Sequence, residues 1–282
     1  MSALGYYPGC SLTSSASEYD RSLRAVAGQL GVELREIPDW VCCGATSAHA
    51  IDHNAALCLA ADTLAKARRA GLTEVLAPCA MCYQRLAVAA HELKHNPKIA
   101  AAMDEAPGLE NIKPLSILGW LGNSVKLTVN RPLTGLKVAC YYGCLLVRPK
   151  EVAFDDVENP TVMENLIAAL GATPVPFPQK TECCGAYHTV GKPEIIADRT
   201  DKIMGSAHEE HADLVVVSCP LCAFNLDFRQ ADAKRLNPDF HHLPVLYFTQ
   251  LMALAFGCDE AALRFDLHHI DPKPVLAGRG LA

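Results

Sequence analysis

One pattern of cysteines occurs twice in this chain of 282 residues, and it limits the possible folds more than any other feature. Each copy has a single cysteine, then a Cys-Cys-Gly block, then a Cys-x2-Cys block. Gaps of 31 and 35 residues separate the blocks of the first copy, and gaps of 38 and 34 separate those of the second. The ten residues are Cys10, Cys42, Cys43, Cys79 and Cys82, and then Cys144, Cys183, Cys184, Cys219 and Cys222. An internal repeat of this kind predicts two similar structural units.

Strands and helices are predicted to alternate in the same order in both halves. A short apolar strand leads to each cysteine block, and a helix lies between one strand and the next. Glycines such as Gly31, Gly71 and Gly171 mark the ends of helices. This order predicts an α/β fold with a small parallel sheet in each half and helices on its faces. Because ligands gather at the carboxyl ends of such strands, the three blocks of each copy are expected to converge.

The domain boundaries are expected where this alternation is lost. We predict an N-terminal domain over residues 1–103, a connecting segment over 104–135 and a C-terminal domain over 136–282. Proline and glycine interrupt the connecting segment, but apolar residues such as Trp120 favour a short helix packed between the halves. Residues 245–256 are expected to form a last amphipathic helix, followed by a polar tail. Core or a subunit interface is the expected place of that helix, with docking on a membrane surface as the alternative.

Composition and charge narrow the class of protein. Half of the residues are hydrophobic and 20% are charged, as in an ordinary globular protein. The net charge of -6, without a basic cluster, argues against nucleic acid as a partner. The N-terminus lacks the regions of a signal peptide, and no apolar run reaches the roughly 18 residues of a membrane span. A cytoplasmic location is therefore expected, where thirteen cysteines suit metal ligation better than disulfides.

The repeated cysteines predict two metal or cluster sites. A single cysteine is often a small buried hydrophobe, but chance does not repeat the same order at nearly the same spacing. Tetrahedral zinc takes four thiolates, whereas each copy offers five, so structural zinc remains an alternative for one half. Soft thiolates otherwise select iron–sulfur clusters, although a common cubane also needs only four cysteines. The count of five therefore indicates unusual sites.

With these blocks at these gaps, the sequence resembles the cysteine-rich CCG domain in two copies. Over roughly residues 5–265, it resembles the family of heterodisulfide reductase B subunits. The resemblance implies two domains related by a pseudo-twofold axis, each holding a noncubane [4Fe-4S] cluster through all five of its cysteines. Cys140 competes with Cys144 as a ligand, but Gly143-Cys144 aligns with Gly9-Cys10 and favours Cys144. Cys140, Cys58 and Cys258 are expected to be core thiols.

An oxidoreductase acting on sulfur groups is the function that the resemblance implies. A disulfide would be cleaved, or formed, in a cavity between the two clusters, each supplying one electron. The chain has neither a dinucleotide fingerprint nor a ferredoxin cysteine run, so no flavin or nucleotide is expected on it. Electrons are expected from a flavin-containing A-type subunit through a small ferredoxin-like C-type iron–sulfur subunit. Association with a membrane surface is expected only through such partners.

Polar side chains beside the motifs are candidates for lining the cavity. They are His49, Arg85, Arg148, Lys180 and His188. Basic groups at these positions would suit thiols that bear carboxylate or phosphate. An exposed or purely structural position is the alternative for each of them.

Other functions remain open for the same pair of domains. The chain could be an electron-transfer subunit of a quinone-linked succinate or fumarate enzyme, of a 2-hydroxy-acid oxidoreductase, or of a sulfur-oxidising complex. A structural zinc protein is the third class. The disulfide or thiol substrate and the direction of the reaction are not encoded in any residue singled out above.

Overall fold

Two four-stranded parallel sheets form the framework of the protein. The computed structural model describes residues 3–45, 48–101, 108–122 and 127–281, without the side chain of residue 98. The strand order is β2-β1-β3-β4 in one sheet and β6-β5-β7-β8 in the other, and each pairing is parallel. The strands are β1 Leu4–Tyr6, β2 Leu34–Glu36, β3 Glu74–Ala77, β4 Lys113–Ser116, β5 Lys137–Tyr141, β6 Thr173–Pro174, β7 Leu214–Val217 and β8 Val245–Tyr247. The two orders are equivalent, which confirms the predicted α/β fold with two similar units.

Helices cover these sheets. Those of the first half are α1 Gly9–Leu12, α2 Ser17–Gln29, α3 Ala48–Ile51, α4 His53–Arg69, α5 Ala80–His95, α6 Pro97–Ala101 and α7 Ile117–Gly122. Those of the second half are α8 Val162–Ala169, α9 Pro193–Glu209, α10 Pro220–Phe228, α11 Gln230–Leu236, α12 Phe248–Phe256, α13 Glu260–Leu263 and α14 Lys273–Gly278. Short 3-10 turns span Leu109–Asn111, Lys150–Val152, Ala186–His188 and Phe265–Leu267.

Local signals explain why the longer elements form where they do. Asp52 caps α4, since its carboxylate accepts hydrogen bonds from the N–H groups of Asn54 and Ala55 at 2.9 and 3.0 Å. The helix ends before Gly71, whose φ of 74° is in the left-handed region that favours glycine. Strand β7 is a run of Leu and Val, buried at every position, as expected for the centre of a parallel sheet.

The segment expected to connect the two domains contributes a strand that was not predicted. Strand β4 lies within residues 104–135 and pairs with β3, so part of this segment extends the first sheet. Pro114 made a strand unexpected here, because proline has no backbone N–H to donate to a neighbouring strand. The loss is tolerated because β4 is the edge strand of its sheet. The short helix expected here is present as α7. The boundary at residue 103 lies outside the described residues, and the division at 103 and 135 stays a prediction.

The expected last amphipathic helix is in fact a strand followed by a shorter helix. Residues Val245–Tyr247 form β8, and all residues of the following α12 are buried. Because even its polar residues Thr249 and Gln250 are buried, α12 packs into the core on every side, and membrane docking by this helix is wrong. The polar tail also folds back, because Leu263, Leu276 and Leu281 are buried in the same core.

The two halves share one core across a buried junction. The rings of Tyr19 on α2 and Tyr247 stack with centroids 4.1 Å apart and an interplanar angle of 7°. The Tyr19 hydroxyl donates to the carbonyl of Pro78 at 3.1 Å and lies 3.1 Å from the hydroxyl of Ser218. One helical turn along α2, the hydroxyls of Ser22 and Thr249 are 2.7 Å apart. Since these groups are buried, each half supplies part of the other's interior.

A buried histidine in the C-terminal segment makes stability depend on pH. The side chain of His268 is only 4% exposed, and Nε2 lies 2.8 Å from the amide nitrogen of Gln250. Burial is the largest cause that lowers the pKa of His268 to about 4. An unfolded histidine has a pKa of about 6.5, so between about pH 6.5 and 4 the unfolded chain takes up a proton that the folded chain refuses.

We therefore expect acid to remove more stability from the natural protein than from His268→Gln. The natural protein should lose up to about 3 kcal/mol relative to the variant as the pH falls from 7 to 4. Urea unfolding at several pH values measures this difference, and groups that titrate in both proteins cancel. Equal slopes for the two proteins would contradict the assignment.

Candidate functional site

Each cysteine block follows the carboxyl end of a strand. Cys10 and Cys144 follow β1 and β5, and the Cys-Cys-Gly blocks follow β2 and β6. Cys79 and Cys219 follow β3 and β7, and are the residues before α5 and α10. Strands of a parallel sheet end on the same edge, so the topology brings the three blocks of each copy together. This is the convergence that the sequence predicts.

Sulfur atoms meet at equivalent places in the two halves. The Sγ atoms of Cys43 and Cys82 are 3.4 Å apart, and those of Cys184 and Cys222 are 3.6 Å apart. Thiol contacts also join Cys10 to Cys42 and Cys144 to Cys183. We call Cys10, Cys42, Cys43, Cys79 and Cys82 the first set, and Cys144, Cys183, Cys184, Cys219 and Cys222 the second set.

The two sets meet at the junction of the halves. The thiols of Cys79 and Cys219 are both buried and lie close enough for each to shift the pKa of the other. A small cavity of about 30 Å³ lies beside Cys219 and is lined from both halves, with Met81 from the first and Leu221 and Tyr187 from the second. The site is therefore shared, with one set on each side of the junction.

Hydrogen bonds between the thiols favour deprotonation of one or more sulfurs in each set. The hydrogen bond from Cys82 is the largest cause that lowers the pKa of Cys43 to about 7. The contact with Cys144 does the same for Cys183, whose pKa is lowered to about 6. Cys219 has a strongly lowered pKa because Cys222, and then Cys79, donate to it. The pKa of the partner thiols, such as Cys82 and Cys144, is raised in turn. One thiol of each pair is therefore favoured as the thiolate, which is the form that binds metal.

A glycine before the first cysteine of each set lets the backbone approach a sulfur closely. Gly9 and Gly143 both have φ of 66°. A Cβ atom would lie 3.0 Å from the sulfur of Cys82 at Gly9 and 3.1 Å from that of Cys222 at Gly143. Both the backbone conformation and the space therefore require glycine.

Gly9→Ala is expected to disrupt the first set, whereas Gly31→Ala should not. Gly31 has φ of 68°, and a Cβ atom there meets nothing within 4 Å, so it matches the backbone strain without the contact. Each variant should lose about 1–2 kcal/mol of unfolding free energy from the strain alone. Only Gly9→Ala should also lower the metal content of the anaerobically purified protein. Equal metal content in the two variants would contradict the proposed approach to Cys82.

A pair of equivalent tyrosines, which the sequence analysis missed, holds each Cys-Cys-Gly loop. Tyr7 donates its hydroxyl proton to the carbonyl of Val41 at 2.7 Å, and Tyr141 donates to that of Glu182 at 2.6 Å. Each accepting residue directly precedes a Cys-Cys-Gly block. A tyrosine three residues before the first cysteine of both copies was the signal that could have revealed them.

Two of the candidate cavity residues lie beside the first set. Arg85 on α5 is close enough to the thiol of Cys43 and the phenol of Tyr187 for its charge to lower the pKa of both groups. The ring of His49 lies 5.4 Å from that of Tyr187, and its buried Nδ1 has no hydrogen-bond partner among the described residues. Tyr187 donates to the carbonyl of Ala45 at 2.8 Å and so crosses between the halves. Tyr187 was not singled out from the sequence.

The other three candidates lie elsewhere or face solvent. Lys180 is paired with Glu164 at 3.0 Å and lines a separate cavity of about 490 Å³. Arg148 donates to the carbonyl of Thr181 at 3.2 Å, and one of its nitrogens is 3.5 Å from a carboxylate oxygen of Glu158. His188 is exposed on a 3-10 turn. A role for these three in binding substrate stays a prediction.

The three cysteines outside the repeat differ in their surroundings. Cys140 is buried in β5, and burial raises the pKa of its thiol. Cys258 is partly buried. Cys58 is exposed, so its expected place in the core is wrong. The reason is helical spacing, since the buried face of α4 contains Leu57, Ala61 and Leu64 and leaves residue 58 on the outer face.

The surroundings of the two sets suit an iron–sulfur cluster in their chemistry. The donors are soft sulfur atoms on both sides of the junction, and glycines leave room beside them. Across residues 3–45, 48–101, 108–122 and 127–281, no three or more His, Cys, Asp or Glu side chains have the geometry of a site for one metal ion.

Comparisons with known proteins agree with the repeat. A family model described as the CCG cysteine-rich domain matches residues 4–87 and 138–227. The chain is 37% identical to the 8-methylmenaquinol:fumarate reductase membrane anchor subunit of Wolinella succinogenes, over 94% of this chain and 96% of that one. It is 28% identical to the B subunit of the Ferredoxin/F(420)H(2)-dependent CoB-CoM heterodisulfide reductase of Methanosarcina acetivorans, over 98% and 97%. A protein of Archaeoglobus profundus, named as similar to the heterodisulfide reductase B subunit, is 27% identical over 90% and 91%.

One solved structure shares the fold. A hypothetical protein from Helicobacter pylori superposes with a TM-score of 0.75 at 13% identity, over 95% of this chain and 51% of the longer one. Although the Wolinella relative is called a membrane anchor, none of the helices that the structure describes here has the length and apolar character of a membrane span.

Proposed function

This chain belongs to the cysteine-rich CCG domain family, and we propose that it is an iron–sulfur redox subunit of a multisubunit oxidoreductase. The ten repeated cysteines would hold two noncubane [4Fe-4S] clusters, one in each set. When bound, the two clusters would supply one electron each. The observation that carries this proposal is the position of the two sets at one junction, where residues of both halves line a single cavity and Tyr187 of the second half donates to the carbonyl of Ala45 in the first at 2.8 Å. Electron transfer between redox centres is efficient only when they are close, and this arrangement supports two adjacent sites.

The chain's own residues have three tasks in this function. Tyr7 and Tyr141 hold the Cys-Cys-Gly loops against the strand ends, so that both sets keep their shape. Tyr19, Tyr247 and Ser218 close the back of the junction and exclude water there. Tyr187 bridges the halves on the other side, next to His49 and Arg85, and marks the side from which a substrate would approach.

Reductive cleavage of a disulfide, or its reverse, is the activity that the geometry favours. Two equivalent sets on either side of one junction suit a substrate with two sulfur atoms, one directed to each site. In this activity the chain is the catalytic subunit of a heterodisulfide-reductase-type complex. A flavin-containing A-type subunit and a small C-type iron–sulfur subunit would deliver the electrons. The relatives named after the heterodisulfide reductase B subunit support this assignment.

Electron transfer to or from a quinone-linked fumarate or succinate enzyme is the second candidate. A specific observation favours it: identity is 37% to the Wolinella fumarate reductase subunit, against 27–28% to the heterodisulfide reductase relatives. Any contact with a membrane would then be made through partner subunits or the protein surface.

Spectroscopy of the anaerobically purified complex separates these functions. Iron and acid-labile sulfide are measured first, and the oxidised protein is then mixed with a thiol and, separately, with a reduced menaquinone analogue. A paramagnetic signal that requires thiol, together with reduction of a mixed disulfide by a viologen donor, would establish the disulfide activity. Reduction by the quinol without a response to thiol would establish the second function. Zinc in place of iron would refute both.

A further inference from the structure

The two halves carry side chains of different charge at one pair of equivalent positions close to the cysteines. The residue three positions after the last cysteine is Arg85 in the first half and Asn225 in the second. On a helix this spacing places each residue on the same face as the cysteine before it, Cys82 on α5 and Cys222 on α10. Both positions are therefore directed to the same part of their set, the pair of sulfurs described above. A cation occupies this place in one half and a neutral amide in the other.

In the second half the amide is fully buried and held by its neighbours. Asn225 donates through Nδ2 to the carbonyl of Cys184 at 3.2 Å, and the same nitrogen lies 3.6 Å from the sulfur of Cys184. Its oxygen accepts a hydrogen bond from the hydroxyl of Thr189 at 2.7 Å. This site thus receives a hydrogen bond but no net charge.

In the first half the cation is not neutralised by any carboxylate that the structure describes. Arg85 is partly buried, and its Nε donates to the neutral side-chain oxygen of Gln84 at 2.7 Å. None of its nitrogens forms an ion pair with a carboxylate among the described residues. The sulfur of Cys43, equivalent to that of Cys184, lies within reach of its charge.

A second cation close to the sets is compensated. Arg199 on α9 donates to the carbonyl of Cys183 at 3.1 Å, but it also forms an ion pair with Glu182 at 2.8 Å. In the first half the equivalent place beside the Cys-Cys-Gly glycine is taken by Leu59, which is uncharged. Within the described part of the chain, the net positive charge next to the sulfurs is therefore greater in the first set.

We propose that Arg85 gives the cluster in the first set the higher reduction potential of the two, so that an electron shared between them resides on the first. The inference rests on the proposed function, because it needs a cluster in each set. Its physical basis is that a reduced cluster carries one more negative charge, which a nearby uncompensated cation stabilises. No atom or proton moves in this step: one cluster gains the electron that the other loses. Arg85 acts through Cys43 and is a residue that tunes the site.

A redox titration followed by electron paramagnetic resonance tests the proposal on the anaerobically purified complex. Arg85→Gln should lower the potential of one cluster more than that of the other, so that the gap between them narrows or reverses. Arg85→Lys keeps the charge and should keep the natural order. Arg24→Gln, at an ion-paired arginine on α2 away from the cysteines, is the control and should change neither.

Iron analysis of the same samples distinguishes a failure of the proposed function from a failure of the inference about Arg85. Natural protein without iron in both sets would refute the proposed function itself. With both sets filled, unchanged potentials in Arg85→Gln, or equal shifts of both clusters, would overturn the inference alone. If Arg85→Gln loses iron from the first set, Gln84→Glu decides the matter, because a carboxylate in place of the amide oxygen 2.7 Å from Nε neutralises the cation without removing it. It should lower the same potential, and unchanged potentials in this variant would overturn the inference.

Discussion

Replacing Cys43 and Cys82 together by serine is expected to remove about four of the roughly eight iron atoms that two [4Fe-4S] clusters would supply. The two sulfurs are 3.4 Å apart and belong to the first set, whose strands form a sheet separate from that of the second set. Serine keeps the volume but offers a hard oxygen, which soft iron–sulfur clusters bind poorly. The second set, on β5, β6 and β7, should keep its cluster. Iron and acid-labile sulfide per chain, measured on anaerobic protein, give the result directly.

Cys58→Ser is the matched control, since this thiol is exposed on α4 and lies outside both sets. It should retain the full iron content. Loss of all iron from the Cys43 and Cys82 double variant would mean that the sets do not fill independently. Loss of none would refute the assignment of these cysteines as ligands. The same assay separates Cys144→Ser, expected to lose iron, from Cys140→Ala, expected to keep it because Cys140 is buried within β5.

The largest expected effect on stability comes from Tyr247→Ala. The ring of Tyr247 is buried and stacks on Tyr19 of the other half, so its removal leaves a cavity at the junction. Loss of a large buried aromatic side chain costs about 3–5 kcal/mol, and stacked aromatic pairs add to that figure. Urea unfolding should show this loss, together with a lower iron content in both sets, because the junction positions Cys79 against Cys219.

Tyr247→Phe keeps the stacked ring and serves as the control for packing. The hydrogen bond at the start of α12 uses the backbone N–H of Tyr247, which donates to Oε1 of Gln250 at 2.9 Å and is kept in this variant, so only about 1 kcal/mol should be lost with the hydroxyl. If Tyr247→Ala and Tyr247→Phe are equally stable, the stacked pair does not hold the halves together. In that case the hydroxyl pair of Ser22 and Thr249 is the contact to alter next.

The sequence was sufficient to predict the α/β class, the duplication and most strands and helices near the cysteines. Two features made this possible. The cysteine blocks recur at nearly constant spacing, and each follows a short apolar segment that reads as a strand, as β3 and β7 show. Because the repeat occurs twice, the structure of each segment can be predicted from two sequences, and a segment that is ambiguous in one half is clarified by its equivalent in the other.

The failures lie where distant parts of the chain decide the structure. Strand β4 contains Pro114 and forms only by pairing with β3, whose Val75 is its partner in the register. Helix α12 looked amphipathic, yet elements of both halves surround it. Tyr187 donates a hydrogen bond to the carbonyl of Ala45, 142 positions earlier in the chain, and no local sequence pattern predicts such a contact. Propensity and spacing describe neighbours in sequence, and these contacts depend on the assembled halves.

The packing of α2 against the last buried helix has a consequence for how the protein is made. Tyr19 and Ser22 on α2 contact Tyr247 and Thr249, and Thr249 is added to the growing chain 227 residues after Ser22. Until then, the nascent first half exposes the face of α2 that later becomes core, and Cys79 lacks its neighbour Cys219. Domains usually fold in order as they leave the ribosome, but here α2 completes its packing only after residues 247–249 have been made. The junction that both cysteine sets border therefore forms only once both halves have been synthesised.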